Sequence, residues 1–201
     1  NIGAYGVEIK DVFLELDAYH ISSGEIHTFD NKACEFGYRE SVFKNKLKGQ
    51  YVILSVSFKL SKKPNLNTSY GAIESELMKM SVTKPTIKDI SKAVISIRKS
   101  KLPDPKELGN SGSFFKNPII TKVDYYKIQA LYPDIPHYIV SETEVKVPAG
   151  WLIEKAGFKG KRIKDYGVHE KQALVIVNYG KATGKQILDF SISIQKAIKF
   201  I

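Results

Sequence analysis

With 201 residues, 43% of them hydrophobic, the chain has apolar material for one large or two small domains and is no disordered polymer. Its net charge of +10 favours anionic partners, yet the lysines are scattered, with no arginine-rich tract and no RNA-binding aromatic signature, so nucleic acid is not expected. No apolar run nears the ~20 residues that span a bilayer, no signal-peptide pattern opens the chain, Cys34 is the single cysteine, and no Cys/His cluster has metal-ligand spacing; a reduced, cytoplasmic, monomeric protein without membrane or metal partners is predicted.

The first part reads as strand-rich. Residues 12–19 alternate in part, Ser23-Gly24 signals a turn, and residues 25–29 complete a hairpin. Residues 51–60 alternate more clearly from Ile53 onward, and 64–71 form a polar loop ending in Ser69-Tyr70-Gly71. A short helix is expected over 73–80. Thr86-Ile87-Lys88-Asp89 has the form of a capping box, and Ile87, Ile90, Val94 and Ile97 follow at helical spacing. That helix should end near Lys101, because Pro103 and Pro105 cannot continue it, and the proline-rich stretch marks a domain boundary.

The second part mixes helix and strand. Helices are expected over 123–131 and 151–156, and a short buried strand over 173–177. Ile187, Phe190, Ile194, Ala197 and Ile198 form the stripe of a closing helix, still apolar where the chain reaches Ile201. The pattern predicts an α+β protein.

The most distinctive run is Gly109-Asn110-Ser111-Gly112-Ser113-Phe114-Phe115-Lys116-Asn117-Pro118. Its glycines permit a sharp turn and close approach to a ligand, and Ser113 follows the second of them. Phe114 and Phe115 are suited to anchor the turn, and Asn117-Pro118 to end it. A lone run of this kind is more often an anchored loop than a site. It resembles, however, the GNxGSFFKNP signature of UDP-N-acetylenolpyruvoylglucosamine reductase, a flavoenzyme of bacterial cell-wall synthesis. Five further groups resemble that family in the same order: Asn1-Ile2-Gly3-Ala4-Tyr5-Gly6, Phe36-Gly37-Tyr38-Arg39-Glu40-Ser41, Lys101-Leu102-Pro103-Asp104-Pro105, Ala149-Gly150-Trp151-Leu152-Ile153-Glu154 and Val168-His169-Glu170-Lys171-Gln172-Ala173-Leu174.

The resemblance implies residues 1–102 as part of an FAD-binding domain, with a substrate loop near 64–71. It implies residues 103–201 as a smaller α+β substrate-binding domain lacking its last strand. Both ends then look cut, and the fragment by itself is expected to be inactive. The implied reaction is FAD-dependent, NADPH-oxidising reduction of UDP-N-acetylglucosamine enolpyruvate to UDP-N-acetylmuramate. Asn1, Ile2, Gly3, Ala4 and Tyr5 fall on the flavin-contacting turn. Ser113 falls on the proton donor, and Arg39 on the cation that meets charge developing on the substrate carboxylate. Tyr70 falls on the substrate loop, and Lys101, Asn117, Tyr138, Lys146 and Gln172 on nucleotide-contacting positions.

The chemistry is reasonable residue by residue. Lysines offset phosphate charge, and side-chain amides both donate and accept toward uracil or phosphate oxygens. An arginine presents a permanent, planar charge to a carboxylate. Taken singly, Ser113 is a turn serine bonding its own backbone, Arg39 a surface ion-pair partner, and the others ordinary surface groups. Arg98 lies near Lys101 on the same helix and is equally a cleft residue or a solvated one. His169 reads as structural. A non-enzymatic nucleotide-binding domain or scaffold is the competing reading; the joint survival of Ser113, Arg39, Lys101, Asn117 and Gln172 argues against it.

Overall fold

The computed structural model describes residues 1–199; the expected helical run to Ile201 extends outside the described residues. Two compact units are present, Asn1–Ile97 and Arg98–Ile201, and both mix helix and strand.

In the first unit, β1 (Gly3–Ala4) and β2 (Val7–Glu8) pair as a minimal hairpin, Gly3 opposite Glu8 and Ala4 opposite Val7. Its loop residues Tyr5 (φ 54°) and Gly6 (φ 80°) are both left-handed, the conformation a two-residue hairpin turn requires. Glycine adopts it freely, whereas the tyrosine costs roughly 1 kcal/mol or more. Next, β3 (Phe13–His20), β4 (Ile26–Asp30) and β5 (Tyr51–Phe58) form an antiparallel sheet in the order β4-β3-β5. Leu16 and Ala18 point into the core at the two-residue period of a strand, but Phe13 is out of phase with them. The register shifts between Phe13 and Glu15, which is why alternation over 12–19 is only partial. Phe13, Leu16, Ala18 and Cys34 form this core, walled by Phe29, Phe36, Phe43 and Tyr51.

Helices α1 (Gly71–Lys79) and α2 (Ile87–Lys101) pair through Ile73, Leu77, Ala93 and Ile97. The capping box before α2 is formed: the Thr86 N–H donates to Asp89 Oδ2 at 2.9 Å and the Asp89 N–H to Thr86 Oγ1 at 3.4 Å. Ile87, counted in the apolar stripe, instead lies exposed at the start of the helix.

The second unit holds two sheets. One is antiparallel in the order β10 (Arg162–Ile163), β11 (Tyr166–Val168), β12 (Val175–Asn178), β6 (Gly109–Ser113). The other runs β7 (Ile119–Thr121), β9 (Glu144–Lys146), β8 (Tyr138–Ile139). Helices α4 (Ala149–Lys155) and α5 (Gly184–Ile198) supply Ile153, Phe190 and Ile194 to a core with Phe158, Val168 and Ile176. Helix α3 (Lys122–Leu131) supplies Tyr125 to a second cluster with Ile135, Val145, Val147 and Leu152. At Gly167 a β-carbon would run into the Lys161 carbonyl, so the β10–β11 hairpin requires glycine there.

The glycine-rich run at 109–113 departs from expectation. It is a strand, not a turn: β6 pairs antiparallel with β12 along one edge of the sheet. Gly109, Asn110 and Ser113 carry the ladder, and Gly112, at φ 72°, keeps turn-like backbone.

Candidate active site

Within the first unit, the structure gathers the turn at residues 1–5, Arg39 and Tyr70. Arg39 is itself left-handed (φ 56°), and its Nη2 donates to the Gly3 carbonyl. Its Nη1 lies 3.8 Å from Glu8 Oε1, and its guanidinium sits 5.3 Å from the centre of the Tyr38 ring. Glu8 is shared: Asn1 Nδ2 donates to it at 3.1 Å and Lys10 pairs with it at 3.2 Å. Partial burial alone would raise the Glu8 carboxyl; the bonds from Asn1 and Lys10, with the Arg39 charge, hold it below its usual value instead. Asn1 Nδ2 also donates to the Gly37 carbonyl at 3.0 Å, tying the hairpin to the Arg39 segment. Tyr70 precedes α1, half-exposed, with its ring edge-on to Tyr5 at 5.3 Å.

Within the second unit, Ser113 ends β6 opposite Val175, exposed, where the register of β12 with β6 shifts between Val175 and Val177. Bulges of this kind re-aim side chains. The segment is held on both sides. Asn110 Oδ1 accepts from the Gly112 N–H at 3.0 Å, and the Phe114 N–H donates to the Leu174 carbonyl at 2.7 Å. The Ser113 hydroxyl has no hydrogen-bond partner among the described residues, contrary to the expectation for a turn serine. Phe115 packs against the core, whereas Phe114 is 41% exposed and anchors little.

The remaining site residues lie along one chain of contacts. Asn117 Oδ1 accepts from the Ala149 N–H at 2.9 Å, at the start of α4. A β-carbon on the next residue, Gly150, would lie 3.7 Å from Leu174 and 3.9 Å from Gln172 Oε1, which places Gln172 beside that helix start. Gln172 Oε1 accepts from the Leu174 N–H at 3.4 Å. On the other side, Lys146 pairs with both Ile119 and Tyr138 across the small sheet, its ammonium 5.7 Å from the Tyr138 ring centre. Lys146 and Tyr138 thus touch directly, while Ser113, Asn117 and Gln172 are linked through Phe114, Leu174, Ala149 and Gly150. Lys101 stands at the end of α2, lining a cavity of about 520 Å³ with Arg98, Lys171 and His169.

Glu8 and Lys171 are residues that sequence reasoning passed over, and His169 is one that it reads as structural. Glu8 carries no periodic signal, and its link to Arg39 depends on a left-handed residue 31 positions away. His169 lines the same cavity as Lys101, which the reading of it as a structural residue does not anticipate. Burial lowers its pKa; Glu170 opposes and Lys171 reinforces the shift. No group of three or more His, Cys, Asp or Glu suited to a metal ion occurs among the described residues.

Residues 104–200 match the model of the UDP-N-acetylenolpyruvoylglucosamine reductase C-terminal domain. The chain is 61% identical over 199 residues to the UDP-N-acetylenolpyruvoylglucosamine reductase of Flavobacterium johnsoniae, covering 98% of this chain and 59% of that protein. It is 50% identical over 198 residues to the protein of that name from Amoebophilus asiaticus, covering 98% and 58%. The chain belongs to this reductase family. It spans about three fifths of the length of these relatives. The crystal structure of the Thermus caldophilus reductase shares the fold, with a TM-score of 0.59 at 21% identity, over 98% of this chain and 53% of that one.

In this reductase family a flavin is implied, and the hairpin suits its ring. The hairpin offers a flat ring its exposed residue Ala4, with Arg39 held alongside on the Gly3 carbonyl; the space beside Gly3 itself is taken by Glu8, the Val7 carbonyl and Arg39. A flavin's own diphosphate finds no comparable glycine-rich cradle in residues 1–8.

Proposed function

We propose that this chain carries the substrate-reducing residues of a flavoenzyme that converts UDP-N-acetylglucosamine enolpyruvate to UDP-N-acetylmuramate, in the cytoplasm, using FAD and NADPH. The observation that carries the reading is the 61% identity along 98% of the chain to a protein named for this reduction. Reduction of the enol ether adds hydride to the methylene carbon and a proton to its neighbour. A bound flavin, itself reduced by NADPH, supplies the hydride that no side chain can. Ser113 donates the proton. Its hydroxyl is a weak acid, but the carbon it meets is a strong base once hydride has arrived, and at the bulge no described residue claims its hydrogen. Arg39 meets the charge that develops on the substrate carboxylate, with its guanidinium already oriented by the Gly3 carbonyl and Glu8. Lys101 and Lys146 offset the diphosphate, Asn117, Gln172 and Tyr138 contact the nucleotide, and Tyr70 covers the substrate from its loop.

The test is made on the protein at the full length of its relatives. Purified protein should hold flavin that NADPH reduces, and in the absence of oxygen should turn NADPH over repeatedly only when the enolpyruvyl substrate is present, yielding a product heavier by two hydrogens. Repeated NADPH turnover without that product, or absence of both, overturns the reading. A non-enzymatic nucleotide-binding module would bind uridine diphosphate and show neither.

A further inference from the structure

The cavity beside Lys101 contains a group that the proposed reaction leaves unused. Its walls are the last turn of α2 with the Pro103–Pro105 segment on one side and the 169–171 segment on the other. Arg98, Lys99, Lys101 and Lys171 bring four fixed positive charges to it, against the two carboxylates of Asp104 and Glu107. Its volume of about 520 Å³ exceeds what a single small anion fills. Among these cations sits His169, half-buried, a lining side chain that, like Ser100, can donate a hydrogen bond without adding charge.

Which ring nitrogen carries the hydrogen follows from one contact. The Lys171 backbone N–H donates to His169 Nδ1 at 3.3 Å, so Nδ1 is the acceptor and, in the neutral ring, Nε2 bears the hydrogen. No described residue partners Nε2. The neutral form is favoured where the ring lies, since burial and the Lys171 charge both disfavour imidazolium. A donor fixed in this way, ringed by cations, suits an extended anion with several acceptor oxygens.

We propose that His169 donates through Nε2–H to a diphosphate bound in this cavity, with Arg98 and Lys171 joining Lys101 as its counter-charges. The inference rests on the function proposed above, in which Lys101 faces a diphosphate, and adds residues to that site. Both the nucleotide sugar and the reduced dinucleotide carry such a group, and the two half-reactions separate them.

The test uses the full-length holoenzyme with uridine diphosphate as the probe, followed by calorimetry. His169→Ala should weaken binding about tenfold, the range for one hydrogen bond to a charged group. His169→Gln, whose amide NH2 reaches nearly as far as Nε2, should recover most of the loss. Thermal unfolding of both variants should match the parent, which excludes a fold defect. If His169→Ala binds as the parent does while Lys101→Ala is weakened, the role of His169 is refuted and the diphosphate site stands. If uridine diphosphate does not bind, or if neither substitution matters, the site and the proposal both fall. In steady state, a rise in KM for the enolpyruvyl substrate with kcat unchanged assigns the cavity to the nucleotide sugar. A slower NADPH half-reaction alone assigns it to the dinucleotide. A loss in kcat that glutamine does not rescue speaks for a structural role and overturns the proposal.

Discussion

Strands β12 and β5 are both rich in β-branched and aliphatic residues, yet the fold treats them differently. In β12, Val175 and Val177 are fully buried and Ile176 is 4% exposed, because the strand lies between β11 and β6 with core packed against it. In β5, Val52, Ile53 and Leu54 are each about half exposed, and the strand pairs only with β3. Local preference made both of them strands; burial depended on what covers their faces. The candidate site divides in the same way. Ser113 and Gln172 are held by a sheet anchored in a packed core. Arg39 and the turn at residues 1–5 are held by polar ties and left-handed residues, with little apolar burial behind them. The second unit should therefore be sensitive to lost volume, and the first to lost hydrogen bonds and charge.

The largest expected effect tests whether the anchored strand exists to aim one hydroxyl. In the full-length enzyme, Ser113→Ala should leave flavin reduction by NADPH nearly unchanged and slow the second half-reaction by ~10²–10⁴-fold. Ser113→Cys should keep part of the activity, since a thiol still donates. Stopped-flow measurement of each half-reaction decides: reoxidation of the alanine variant by enolpyruvyl substrate at the parental rate would sink the assigned chemistry.

Stability comes next. Ile194 is fully buried in the core against β12, and Ile194→Ala should cost about 2–5 kcal/mol in urea unfolding of the chain. Leu54→Ala on β5 should stay within about 0.5 kcal/mol. Equal losses at the two positions would erase the contrast between the strands.

The polar support of Arg39 predicts a smaller change. Glu8→Gln keeps the side-chain shape and removes the charge, and should slow the substrate half-reaction only a few-fold, the scale of a partly exposed ion pair. The unfolding midpoint should hardly move. A collapse in stability would mean that Glu8 supports the fold of the hairpin more than the direction of Arg39.

The smallest effect concerns the core beneath β3. Burial, with Asp30 adding to it, pushes the Cys34 thiol up to about 11 from an ordinary 9.0. The neutral thiol is thus favoured in the folded state. Its contribution to stability is complete below about pH 9 and declines as pH rises through about 11. Cys34→Ser should flatten that decline, and the native thiol should resist labelling at pH 8 until the chain unfolds. Rapid labelling of folded protein would show that this core is open.

The helices were legible in the sequence because their signals are local. The Thr86–Asp89 box, the stripe ending in Phe190 and Ile194, and Pro103 each act within a few residues of themselves. The hairpin around Ser23-Gly24 was legible for the same reason. Most of the short strands were not, since β7, β8, β9, β10 and β11 have two or three residues each and owe their conformation to partners, too short a run for alternation to register. The glycine-rich run at 109–113 misled because glycine signals a turn locally, while pairing with β12 made a strand of it. Family motifs in the sequence named Ser113, Arg39 and their companions. Only tertiary structure set Glu8 against Arg39, across 31 residues, and placed His169 in the wall of the Lys101 cavity. Residue type and spacing encode what a segment does alone; which distant groups share a field or a cavity is decided when the chain closes on itself.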